Sequence, residues 1–162
     1  MIELIAKHTI PAAMSLLPDK MDSPEARAML IAICLQESAL KHRRQIGGPA
    51  LGLCQWELPQ VGLVLRHAVV GPLARNVLAA LVYDPGDPPH EHIHAAMEHN
   101  DVLQCAFSRL LLWPDAAPLP KRDDVQGSLA TYLRVWKPGR PHPQKWPANW
   151  AAAWLAVGDR NA

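Results

Sequence analysis

The sequence predicts a mainly helical chain, and three observations carry that expectation. Sixteen prolines punctuate the chain and cut it into short apolar segments. Apolar residues in those segments recur at steps of three and four, the period of one helix face. Strand signals are weak throughout. The chain has 162 residues, 49% of them hydrophobic and 19% charged. That length fits a single domain over residues 1–162, and that balance supplies a core rather than a disordered coil.

The elements follow from the punctuation. The first apolar segment covers 2–17 and stops at Pro18. Ser23-Pro24-Glu25 is a helix start, with Ser23 as N-cap and Pro24 at the first helical position, so a helix is expected over 24–38. Residues 39–56 read as a loop or a short hairpin, because Gly47, Gly48, Pro49 and Gly52 forbid a regular helix. Pro59 and Pro72 open helices over 59–68 and 72–83, and the proline-rich run 84–89 is a loop. A helix over 100–112 carries Val102, Leu103, Ala106, Leu110 and Leu111 at helical spacing. After a loop at 114–120, the last helices are expected over 123–136 and 147–157.

The formal net charge is +1, which gives no electrostatic footprint for nucleic acid or an anionic membrane. No stretch approaches the roughly 18 apolar residues of a membrane span. The first residues lack a basic region followed by a long apolar one, so synthesis in the cytoplasm without a signal peptide is expected. The three cysteines, Cys34, Cys54 and Cys105, are odd in number and irregular in spacing. They read as small apolar packing groups rather than a disulfide framework or a zinc site.

One residue breaks the apolar pattern. Ala26, Leu30, Ile33 and Glu37 share a helix face, so Glu37 stands where a core residue is expected. It falls in the last turn, where the helix dipole disfavours an anion, and partial burial pushes its pKa in the same direction. Both effects favour a protonated acid near neutral pH, which is what a general acid requires. A solvent-exposed glutamate at a frayed helix end is the plain alternative.

The motif Glu37-Ser38 at the end of an apolar helix, followed by Gly52-Leu53-Cys54-Gln55, resembles the signature of the lysozyme-like superfamily. The resemblance is closest to soluble lytic transglycosylases and goose-type lysozymes. Three longer runs resemble lysozyme-like domains of tailed phages and prophages: 42–57, 106–120 and 132–146. The resemblance implies a lysozyme-like fold with a loop or short hairpin after the catalytic helix. It implies cleavage of the β-1,4 bond between N-acetylmuramic acid and N-acetylglucosamine in peptidoglycan. Glu37 would be the catalytic acid, Gln55 would hydrogen-bond the sugar or its acetamido group, and Ser38 would orient Glu37 or the sugar. Tyr132, from a later helix, would face the acid, although Leu133 follows it where the family has asparagine; a plain packing residue is the alternative. No cofactor is implied. Such a protein would reach the wall through a holin or inside a virion, without stable membrane insertion.

Ordinary glycosidases use two carboxylates. No Asp or Glu lies between Glu37 and Glu57. That favours a transglycosylase, which manages with one acid and releases a 1,6-anhydro sugar. Glu57 is the candidate second carboxylate for a hydrolytic muramidase, or a surface charge. A non-catalytic virion or wall-binding protein that kept the fold is the third reading. Trp56, beside Gln55, is the candidate aromatic wall of the cleft, and Trp150 and Trp154, four apart, read as core. The glycines of the loop fit close approach of a sugar chain to the backbone. Lys41-His42-Arg43-Arg44 reads as a solvated loop or a partner for peptide-stem carboxylates. The run His90–His94 would align His90, His94 and Glu98 on one helix face, but nothing in the sequence completes a metal shell.

Overall fold

The computed structural model describes residues 1–158. Helix α1 (Ile2–Leu4) runs through a π-helical turn, Ile5–Thr9, into α2 (Ile10–Met14) without leaving the right-handed region. The wide turn ends at Thr9, and Pro11 is the second residue of α2. Proline has no N–H for the regular bond one turn back, and a widened turn accommodates that loss. A 3₁₀ turn, Asp19–Met21, leads into α3 (Pro24–Ser38). Both expected ends of α3 hold, and the Ser23 hydroxyl oxygen accepts the Ala26 N–H at 3.1 Å.

Helix α3 differs from the expected one-sided pattern. Ala28, Met29, Leu30, Ile31, Ala32 and Ile33 are each 0% exposed, so α3 is buried all round. It is the central helix of the fold, apolar on every face because neighbours cover every face. Its most extensive neighbour is the last helix, and α7 (Asp101–Leu112) and the π-turn also pack on it.

Helices α4 (Leu58–Arg66) and α5 (Val70–Ala80) follow, set at 111° to each other. They start one and two residues before the prolines that signalled them. A short α6 (His90–Ala96), not foreseen as an element, precedes α7 (Asp101–Leu112) and α8 (Val125–Trp136). Asn100 and Asp124 cap the last two by accepting the N–H groups of Leu103 and Gly127. A 3₁₀ turn, Pro143–Lys145, opens α9 (Trp146–Val157). Among the described residues there is no sheet; two isolated bridges, Arg44 to Leu51 and Leu51 to Trp56, fold the loop after α3 back on itself.

One apolar cluster runs from Ile5 to Trp154 and includes residues of every α-helix from α2 to α9. Among the described residues no single helix is long and apolar enough to cross a membrane; only α4 and α5 together reach that length and composition, across their sharp bend.

Candidate functional site

The site is built where α3 ends. Ala39 and Leu40 both adopt the left-handed conformation, at φ 52° and 56°, and this stops the helix directly after Glu37-Ser38. Left-handed backbone is costly for a residue with a Cβ. Ser38 offsets part of that cost: its hydroxyl donates to the Cys34 carbonyl at 3.0 Å and accepts the Leu40 N–H at 3.1 Å. Ser38 is 3% exposed with its hydroxyl so engaged, so it holds the helix exit and is not presented to a sugar. Gln36 fastens the same turn from outside, donating to the His142 carbonyl at 3.0 Å and accepting from Asn149 at 2.8 Å.

Glu37 is half-buried at this end. Its pKa is raised to about 7, chiefly because burial penalises the charged form; the Tyr132 hydrogen bond pulls it down and the charge of Glu57 pushes it up further. The Tyr132 hydroxyl donates to Glu37 Oε1 at 2.6 Å, and the other carboxyl oxygen has no hydrogen-bond partner among the described residues. Burial and the adjacent carboxylate push the Tyr132 pKa upward, so it remains a donor.

Tyr132 is 2% exposed, which removes it from direct contact with a ligand and makes it a positioning group for Glu37. Its ring stacks on Trp146 at 4.7 Å and 17°, and Trp146 stacks on Trp150, against which Trp154 stands edge-on. The Trp146 N–H donates to Ser128 on α8 at 2.8 Å, and the Trp150 N–H donates to the Arg122 carbonyl at 2.9 Å. This stack sets where the Tyr132 hydroxyl points. Trp150 and Trp154 are therefore core, as their spacing indicates, and Trp146 belongs with them.

The loop over residues 39–57 differs from expectation in what its motif residues touch. Gly52 adopts φ 76°, and a Cβ there would collide with the Met97 carbonyl oxygen and press on Gln104. The glycine is required by protein packed against it, not by a sugar chain. Gln104, fully buried and not singled out by the sequence, accepts the Cys54 N–H at 2.8 Å and donates to Asp101 at 2.9 Å. Gln55 also has left-handed backbone, at φ 50°, and its side-chain amide donates to the Gly52 carbonyl at 2.7 Å. It is 9% exposed and serves the loop's own turn. Trp56 is 0% exposed, donates to Ser108 at 2.9 Å, and meets Phe107 and Trp136 edge-on. It is a core residue and offers no face to a ligand.

The two arginines of the basic run form a clamp, while Lys41 and His42 stay exposed. Arg43 binds Asp101 through two bonds of 2.6 and 2.8 Å and the Glu98 carbonyl at 3.0 Å, and Arg44 pairs with Glu98 at 2.5 Å. His94 is hydrogen-bonded to the Trp56 carbonyl at 2.7 Å, so it and Glu98 serve this loop separately and do not converge as ligands.

The cysteines also depart from the sequence expectation. Cys34 on α3 and Cys54 in the loop are joined as a disulfide, with Cα atoms 4.4 Å apart. Cys105, fully buried beside them, has its thiol pKa raised to about 12 by burial. An odd count hid the pair, because the loop returns Cys54 to α3 only when folded. The bond, with the Trp136 N–H donating to the Cys54 carbonyl at 3.0 Å, ties α3, the loop and α8 together one turn from Glu37.

Glu57 is exposed and begins α4, where it forms a capping box with Gln60. Glu37, Tyr132 and the field of Glu57 thus come together, while Ser38, Gln55 and Trp56 support them from within. Two surface pockets, of about 540 Å³ at Tyr83 and Asn100 and about 430 Å³ at Arg109 and Trp113, do not include Glu37. No family model matches the chain, and no curated protein and no solved structure is significantly similar to it.

Proposed function

We propose that the chain is a peptidoglycan-cleaving glycosidase acting on the β-1,4 bond between N-acetylmuramic acid and N-acetylglucosamine, as a lytic transglycosylase of phage or prophage origin. The observation that carries this reading is Glu37: a half-buried carboxyl with a pKa near 7, one oxygen held by Tyr132 and the other unengaged. A general acid must hold its proton at working pH and release it to the leaving group. In this reading Glu37 protonates the glycosidic oxygen as the bond to the muramic acid C1 breaks. It then accepts the proton of the C6 hydroxyl as that oxygen closes on C1, which returns the acid to its starting state. Tyr132 fixes the carboxyl orientation without touching substrate.

A hydrolytic muramidase is the second reading, and one observation favours it: the charge of Glu57 is felt at Glu37, as the smallest of the three influences on its pKa. A second carboxylate facing the same bond would activate water, and the product would carry a reducing end.

Mass spectrometry of purified peptidoglycan after digestion tests both. Anhydro-muropeptides from wild type, with release by Glu37→Gln reduced about 10²–10⁴-fold, are the expected result. Reducing muropeptides, lost in Glu57→Gln as well, would move the reaction to hydrolysis. Equal release by wild type and Glu37→Gln removes Glu37 as the acid. No release by folded wild type leaves a non-catalytic wall or virion role.

A further inference from the structure

The end of α3 remote from Glu37, about 20 Å away by helix rise, adjoins a pocket of about 430 Å³. Arg109 of α7 lines it and is only 4% exposed. Its Nε donates to the Met21 carbonyl at 2.7 Å, while its two terminal nitrogens make no hydrogen bond and no ion pair among the described residues. The guanidinium lies 4.9 Å from the centre of the Trp113 ring, and the Lys20 ammonium approaches the same ring at 5.7 Å. Two cations are therefore drawn to one aromatic ring.

The acids around the pocket are already engaged. Asp22 is held by Arg27 through bonds of 2.6 and 2.5 Å, Glu25 by Lys121 at 2.7 Å, and Asp115 by Arg134 through bonds of 2.9 and 2.5 Å. Asp22 is still felt by Arg109, but burial dominates and lowers the arginine pKa to about 10, so the group stays charged at neutral pH. The unused donors of Arg109 open onto the pocket, where an anion that displaces water would meet a guanidinium already largely stripped of solvent. Ser23 and the Arg134-paired Asp115 also line the pocket; the rest of the wall, Leu112 and residues 116–119, is apolar and leaves room for more than a bare ion.

We propose that Arg109 and Lys20, gathered on Trp113, form an oxyanion-binding site that takes the carboxylate or phosphate group of a small organic anion. The two terminal nitrogens of Arg109 present the fork that binds two oxygens of such a group, and Lys20 supplies a second charge at the mouth. The site stands whether or not Glu37 cleaves glycan.

Isothermal titration of the full chain, with ionic strength held by chloride, tests it with two probes: inorganic phosphate and N-acetyl-alanine. Saturable one-to-one binding of either is expected, about tenfold weaker in Lys20→Gln and lost in Arg109→Met. Which probe saturates separates phosphate from carboxylate recognition. Lys20 is exposed, so its variant keeps the fold and carries the test even if Arg109→Met does not fold. No saturable binding of either probe to wild type, or unchanged affinity in Lys20→Gln, overturns the proposal.

Discussion

The two ends of helix α3 are built on opposite principles. At the first, Ser23 has extended backbone and caps the Ala26 N–H, Pro24 occupies the first helical position, and Glu25 lies in the first turn, where the dipole favours it. At the last, two residues with a Cβ enter the left-handed region in succession, and an acid sits against the dipole with its proton held near pH 7. Every local preference agrees at the first end, and several are violated at the second. Such violations persist only where surrounding structure over-determines them. Here the surroundings are the Ser38 hydroxyl, the Gln36 bonds, the Cys34–Cys54 link and the loop that carries it.

That dependence gives the largest expected effect on stability. Gly52→Ala forces a Cβ against the backbone oxygen of Met97 at a positive φ, and backbone on both sides must move. A loss of about 3 kcal/mol or more is expected, read as a lower midpoint in urea unfolding. A loss below about 1 kcal/mol would mean that the loop is not rigidly packed on α6 and α7, and the support for the helix exit would need another source.

The second effect isolates the acid. In the folded chain Glu37 titrates near 7 and in the unfolded chain near 4.5. Between those values the folded state holds a proton that the unfolded state has released, so stability falls as pH rises through the window. Above pH 7 the full penalty is present, and below 4.5 it is absent. Glu37→Gln keeps the shape and removes the titration. It should be more stable than wild type at pH 8 by up to about 3 kcal/mol, with the gain vanishing near pH 4. Chemical denaturation at the two pH values measures it, and a pH-independent difference would show that the Glu37 pKa is not raised in the folded chain.

The contrast between the ends also explains what was legible in the sequence. Local signals sufficed for the first end: Ser23-Pro24 placed the start of α3 to the residue, and the 3.6 period found α7 through Leu103, Ala106 and Leu110, though the expected helices take in Asn100 and Asp124, which are caps. Glu37 was visible as a fault in a pattern, although the pattern itself was wrong in one respect, since α3 is covered on all sides. What escaped reading depends on residues far apart in the chain. Trp56 looks like a surface aromatic until Ser108 and Trp136 are known to meet it. Gln104 looks like an ordinary helix residue until Cys54 arrives, and Gly52 looks like a ligand-facing glycine until Met97 is behind it. Tertiary contact decides those roles, and no spacing encodes it.

At the conforming end, Ser23→Ala removes one cap bond from a helix start that Pro24 still favours. A loss of about 1 kcal/mol is expected, with no change in the pH dependence that Glu37 imposes, because the two sites lie at opposite ends of the helix. Thermal unfolding at pH 5 and pH 8 reads both quantities together. A Ser23 variant that altered the pH dependence would show that the ends are coupled through α3.

The smallest effect has the opposite sign. Ala39 is exposed and left-handed, so its methyl packs little and its backbone is strained. Glycine reaches the same conformation without the steric cost but loses more entropy on folding, and the balance leaves Ala39→Gly more stable by about 0.5–1 kcal/mol. Leu40 shares the conformation but is 5% exposed within the core cluster, so a glycine there would lose packing and the test belongs at Ala39. Relaxing the exit also loosens the hold on Glu37, two residues upstream. If the strained turn serves the acid, the stabilised variant should cleave peptidoglycan more slowly than wild type. If Ala39→Gly gains stability with no change in rate, the left-handed exit is a feature of the fold alone, and Tyr132 suffices to hold the acid in place.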